Sequence, residues 1–191
     1  MAVYKCLSEQ EYKLNEFSLS PINLDNLKKI RIWRNSQLDV LRQKEVISEE
    51  MQILYFNNQI LPNYKESNPK QLLFGFYKNE ILIGYGGLVH ISWEDKRAEI
   101  SFLLDSIFTI DSNEHDSLFG FYLQLIQRVG FENLKFNKLH TEVYSFRSHH
   151  IAILEKNNFM KEGILRQHIL IDNIYHDSVL HSKLSKEFNN C

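Results

Sequence analysis

Glu99 stands between Ala98 and Ile100 in the run AEISFLLD, where strand alternation would place it on one face with Ser101 and Leu103. A carboxylate among apolar neighbours loses solvation, which raises its pKa toward the working range of a general base. Such a base serves a nucleophile that must lose a proton before it can attack. The same Glu99 could instead pair with Lys96 or Arg97 at a strand end and face water. A second group lies in the first third, where Arg34, Arg42, Gln43 and Lys44 gather guanidinium and amide donors that suit a phosphate or carboxylate. His90, on the strand before Glu99, would border the same pocket. Trp33, Tyr55 and Phe56 offer stacking surface or core packing. The eight histidines include the adjacent His149 and His150, which on a helix face different sides. With no H-E-x-x-H and no Cys/His spacing, no metal site is expected. No G-x-S-x-G, G-K-[ST] or G-x-G-x-x-G run appears, which disfavours serine hydrolase, P-loop and dinucleotide-binding chemistry.

The remaining composition narrows the class. A chain of 191 residues, 43% hydrophobic and 24% charged, suits one soluble globular domain, expected over 1–191. A formal net charge of -2 argues against nucleic-acid binding. Cys6 and Cys191 form no C-x-x-C pair, so a reducing cytoplasm is expected. The start, MAVYKCLSEQEYKL, lacks the pattern of a signal peptide, and no apolar run approaches the roughly 18 to 20 residues of a membrane helix.

These groups must be positioned by alternating elements. Glu11 to Leu19 alternates as a strand, and Asn23 to Asn35 carries Leu24, Leu27 and Ile30 at helical spacing. Ser48-Glu49-Glu50 opens a helix predicted to stop before Pro62. LLFGFY, ILIGYGGLVHISW and AEISFLLD are joined by short polar turns and read as an antiparallel meander. From Leu118 the apolar residues fall at helical spacing through Val129. Leu139 to Tyr144 is a strand, Ser148 to Asn157 a short helix, and Phe159 to Leu184 a hairpin about Asp172-Asn173. The order predicts an α/β fold with a mixed sheet.

The tail HTEVYSFRSHHIAILEKNNFMKEGILRQHILIDNIYHDSVLHSKL resembles the C-terminal half of the GNAT N-acetyltransferases, in the branch of ribosomal-protein and spermidine acetyltransferases. That branch shows N-x-x-[AS]-I-x-L-Y-E-K-x-G-F followed by x-x-E-G-x-L-R. GYGGLVHISWEDKRAEISFLLD is similar to the family's G-x-x-G-L-x-x-I-D-x-x-x-x-x-A-E-I-G-Y-x-L, and IRIWRNSQ resembles a W-R-N helix end of amino-sugar acetyltransferases. The resemblance implies the GNAT acyl-CoA N-acyltransferase fold, a mostly antiparallel sheet of about seven strands flanked by about four helices. It implies acetyl-CoA as acyl donor, with Glu99 taking the amine proton. A bulge at Phe102, Leu103 and Leu104 would splay two strands and free amides for the pantetheine arm. The diphosphate would meet a helix start through the amides of Phe119, Gly120 and Phe121, with Arg147 adding positive charge. The departures are specific: Leu154 occupies the slot of the acid tyrosine, Arg147 that of asparagine and Asn158 that of glycine. Tyr122, Tyr144 or His150 could replace the acid. The region Asp105 to Leu125 has one glycine and carries Asp111, Glu114 and Asp116 with no Lys or Arg. The acceptor expected is a small-molecule primary amine, foremost a nucleotide-linked amino sugar, with a protein N-terminus or a polyamine as the alternatives. A GNAT-derived binding module without catalysis is the reading from another class, and a homodimer is the allowed assembly.

Overall fold

A computed structural model describes residues 3–38, 41, 43, 45–109 and 112–188. Its first strand-forming run is a hairpin, not the single strand expected. Asn15 takes a φ of 53° and turns the chain between β1 (Tyr12–Leu14) and β2 (Phe17–Pro21). Asn reaches this left-handed region at lower cost than most side chains, so alternation on either side of it concealed the turn.

Helix α1 (Leu24–Asn35) starts where Asn23 accepts a hydrogen bond from the Asp25 amide, while the Asn26 side chain accepts one from the Asn23 amide. Helix α2 (Glu49–Tyr55) is capped by Ser48 Oγ, which accepts from the Met51 amide. The chain then runs on through a π turn, Phe56–Ile60, and a 3-10 turn, Leu61–Tyr64. Pro62 does not end the helical course as expected, because it lies in the first turn of the 3-10 segment, where a missing N–H costs little.

The strands β3 (Leu72–Lys78), β4 (Ile81–Ser92) and β5 (Arg97–Leu104) form the predicted meander. After α3 (Ser112–Gln127) come β6 (Lys138–Tyr144), α4 (Ser148–Lys156), the hairpin β7 (Met160–Ile171) and β8 (Ile174–Leu184), and the short α5 (Ser185–Phe188). They build one eight-stranded sheet of order β1-β2-β3-β4-β5-β6-β8-β7, all antiparallel except for the β5–β6 pair.

Alternation along β5 assigns the sheet's faces. Phe102 stacks on Phe119 at 4.6 Å between ring centres and meets Tyr122 at 4.3 Å, so this face carries α3. Leu103 faces the other way beside its cross-strand partner Tyr85, whose hydroxyl accepts a hydrogen bond from Arg34 of α1. The helices therefore cover opposite faces. Glu99, Ser101 and Leu103 lie on the α1 face. No helix among the described residues is long and apolar enough to cross a membrane.

Candidate active site

Where β5 meets β6, the pairing is short. Arg97, Ala98 and Glu99 pair with Lys138, Leu139 and His140 in parallel, and then the strands run on to Leu104 and Tyr144 without pairing. A cleft of about 240 Å³ opens between the diverging strands. Glu99 stands at the fork, with Ile100, Ser101 and Phe102 on one side and Thr141 to Tyr144 on the other. Its side chain retains 24% exposure, so it is half-buried at the rim and not sealed in the core.

The irregularity that accompanies this opening is not at Phe102 to Leu104, where a bulge was expected. Those residues pair in continuous register with Gly86, Tyr85 and Gly84. The register shifts on β4 instead, where His90 and Ile91 together oppose Ala98 and His90 takes a φ of 48°. This bulge brings His90 Nε2 to 3.9 Å from Glu99 Oε2 while leaving the His90 side chain 73% exposed. His90 thus borders the β5–β6 cleft, not the acceptor-side pocket where it was expected.

That second pocket, of about 460 Å³, lies on the α1 side and is walled mainly by aliphatic side chains such as Ile22, Ile30, Ile47, Met51 and Leu73. Ser101, Phe102 and Leu41 border both cavities, so the middle of β5 is a wall shared between them. Gly86 lets the strands close up behind that wall. A Cβ there would lie 2.2 Å from the Ser101 carbonyl oxygen and 2.4 Å from the Tyr122 hydroxyl.

Arg34 projects onto the acceptor-side pocket, donating from Nη1 to the Tyr85 hydroxyl at 2.7 Å and from Nε to Gln43 Oε1 at 2.8 Å. Burial pushes the Tyr85 phenol up and the adjacent guanidinium pulls it back, so the hydroxyl is a neutral partner. Gln43 is a brace: its amide also donates to Asn35 Oδ1 and the Glu45 carbonyl, away from the pocket wall. Arg42, expected beside it, lies outside the described residues, as do Lys44 and Asp111. Among the described residues that line this pocket, none is a carboxylate.

The expected phosphate-binding amides are also displaced. Helix α3 begins at Ser112, so Phe119, Gly120 and Phe121 sit in its interior, where N–H groups bond to carbonyls four residues back. They cannot serve a diphosphate. Phe119 contributes its side chain instead, stacked on His150 at 4.1 Å and lining the cleft. Phe121 stacks on Phe17 at 4.3 Å, and Gly120 has room for a Cβ, its nearest contacts being Asn157 at 3.9 Å. The helix extends further back than the apolar periodicity signalled because its first turns are polar. The first turn of α3 is Ser112 to His115. Arg147, at the N-cap of α4, lines the cleft and acts electrostatically on His115.

Of the replacements for the missing acid, Tyr144 and His150 line the cleft beside Leu154. Tyr122 does not: its buried hydroxyl donates to the Ser101 carbonyl at 2.7 Å, and burial pushes its pKa well up. Burial, then Arg147, pushes the His150 imidazole well below its ordinary range, which keeps it neutral.

The family model described as an acetyltransferase (GNAT) domain matches residues 19–180. The chain is 30% identical over 102 residues to the SPbeta prophage-derived uncharacterized N-acetyltransferase YokL of Bacillus subtilis (strain 168). That match takes in 45% of this chain and 58% of the relative, so it spans less than two thirds of the relative's length. Among solved structures, a spermidine N-acetyltransferase from Vibrio cholerae in complex with CoA and spermine superposes with a TM-score of 0.79 at 18% identity, covering 93% of this chain and all of that one. A probable acetyltransferase (GNAT family) from Chromobacterium violaceum ATCC 12472 gives 0.75 at 16% identity, over 99% and 94%. At such identities the structural likeness establishes the fold alone.

Proposed function

We propose that this chain, which belongs to the GNAT acetyltransferase family, transfers an acetyl group from acetyl-CoA to a primary amine of a small molecule. The observation that carries the reading is the pair of cavities meeting across the middle of β5, with Glu99 at the fork where β5 leaves β6. An acyl donor laid in the cleft and an amine held in the pocket reach each other over Ser101 and Phe102. Glu99, on the acceptor face of β5, accepts the amine proton directly or through one water. The amine then attacks the thioester carbonyl in a ternary complex, with no covalent enzyme intermediate.

Acetyl-CoA supplies the activated acyl carbon and a thiolate leaving group. On this chain the backbone of Phe102 to Leu104, not paired with β6, would face the pantetheine arm. Arg147, lining the cleft at the start of α4, would take the diphosphate role first assigned to Phe119, Gly120 and Phe121. A thiolate of solution pKa about 8.5 leaves with little help, so Leu154 in the acid position is tolerated, and Tyr144 is the phenol that lines the cleft.

The acceptor is read from the pocket wall. Arg34 is a guanidinium held by two neutral partners and facing an aliphatic pocket, an arrangement that favours an anionic group on the incoming amine. A nucleotide-linked amino sugar carries such a group, and so does a peptide through its carboxylate. A polyamine carries only positive charge and meets no carboxylate among the described residues of that wall. Calorimetric titration with acetyl-CoA, followed by thiol release with nucleotide amino sugars, peptides and spermidine as acceptors, tests the reading. Binding of acetyl-CoA with turnover of an anionic small amine is expected. No binding up to about millimolar donor makes the chain a non-catalytic module, and turnover confined to peptides or polyamines overturns the acceptor class.

A further inference from the structure

We propose that His115, Asp116 and His149 form a binding site for a divalent transition-metal ion, Zn²⁺ being the best match to the ligand set. Two of the three come from the first turns of α3 and the third from the start of α4, so no local spacing in the chain announces them. One ligating atom from each lies within 4.8 Å of the other two. The Asp116 Oδ1 atom is the hub: His149 Nε2 is in direct contact with it, and His115 Nδ1 lies 4.0 Å away.

The alternative is a surface His–carboxylate pair with a bystander histidine. His115 argues against it, because its Nδ1 is buried and has no hydrogen-bond partner although it faces the same carboxylate oxygen. A ring nitrogen withdrawn from water and left without a partner is costly; the Nδ1 atoms of His140, His150 and His181 share that condition, but among these four only that of His115 belongs to a group of three ligand atoms. A metal ion between the three groups satisfies it. Two imidazoles and one carboxylate suit a borderline ion such as Zn²⁺, with the fourth tetrahedral position open to water or another ligand. Exposure rises from 12% at His115 through 33% at Asp116 to 50% at His149, so the ion has an open route in and His149 is free to adjust. Metal–ligand bonds of about 2.0–2.2 Å place tetrahedral ligand atoms about 3.4 Å apart, so on binding an ion His115 closes on Asp116 while the direct His149–Asp116 contact opens to admit it. Arg147 nearby opposes a cation and Glu114, in the same turn as His115, favours one.

The site does not depend on the acetyl-transfer reading and is tested without it. The metal-free chain is titrated with ZnCl₂ by calorimetry and with CoCl₂ by visible absorption. One equivalent is expected to bind, with the intense d–d bands of a tetrahedral Co²⁺ site. His149→Ala and Asp116→Asn, at partly exposed positions, should each weaken binding by at least the roughly 10- to 100-fold seen when an outer-shell partner is lost. His176→Ala, on the distal hairpin, should leave it unchanged. In the unaltered chain the imidazole NMR signals of His115 and His149 should shift on adding Zn²⁺ while that of His176 does not, a readout that survives any misfolding of the variants. Absence of binding, equal loss in all three variants, or shifts spread over every histidine would overturn the proposal.

Discussion

The cavities on either side of β5 are built from the same strand yet have opposite characters. The acceptor-side pocket is aliphatic, with Arg34 held by the neutral groups of Tyr85 and Gln43. The β5–β6 cleft gathers Glu99, Glu142, His90, His150 and Arg147. On the proposed reading, proton transfer belongs at the cleft edge, where Glu99 keeps partial contact with water, and acceptor selection belongs in the pocket beside Arg34. A mutation on one side should disturb a different kinetic constant from a mutation on the other.

The largest expected effect is at the fork. Glu99→Gln should lower turnover by roughly 10²-fold with little change in acetyl-CoA affinity, measured by steady-state thiol release and calorimetry. Unaltered turnover would remove Glu99 from the mechanism and dissolve the division between the cavities. Gly86→Ala tests the shared wall. Its Cβ would run into the Ser101 carbonyl, which as backbone cannot swing aside, and a loss of about 1–3 kcal/mol in denaturant unfolding is expected. Arg34→Lys keeps the charge but loses the fork that spans Tyr85 and Gln43, so KM for an anionic acceptor should rise about 10-fold while KM for acetyl-CoA holds. Equal shifts in both constants would show that the pocket and the cleft are not separate compartments.

Two smaller effects concern the walls. Tyr122→Phe should cost about 1 kcal/mol, since the Ser101 carbonyl loses its buried donor. The pH dependence comes from histidines held neutral. Burial first, then neighbouring cations, lowers His150 (Arg147 with His115, His149 and His181), His115 (Arg147 and His149, against Asp116) and His140 (Arg97 and Lys138, against Glu162). Below about pH 6.5 the unfolded chain binds protons at these positions that the folded chain refuses. Stability is therefore full above that pH and falls as the pH drops below it. His150→Gln should flatten the fall in unfolding free energy on the acid side, and an unchanged slope would show that His150 is not a source of it.

Much of the scaffold was legible because its signals are local. Asn23 and Ser48 marked helix starts, the meander turns marked β3 to β5, and alternation assigned Glu99, Ser101 and Leu103 to one face. Errors arose where a local pattern had two solutions. Asn15 sits within a good alternation and still turns the chain. Polar residues before Leu118 hid the first turns of α3, which moved Phe119, Gly120 and Phe121 from the helix start to its interior. The bulge was expected on β5 and lies on β4 at His90, since a register shift belongs to a pair of strands and cannot be assigned from one of them. Gln43 was grouped with the substrate cations but braces Arg34, and the adjacency of His115 to His149 carried no signal at all.

By itself, the order of residues determined the elements, the faces of β5 and the family motifs, because hydrogen-bonded turns, caps and side-chain alternation are settled within a few residues. Only the tertiary structure decided where β5 parts from β6, that two cavities share Ser101 and Phe102, and that α3 and α4 bring His115, Asp116 and His149 together. Those features are differences in how distant segments pack, and no stretch of chain contains them before it folds.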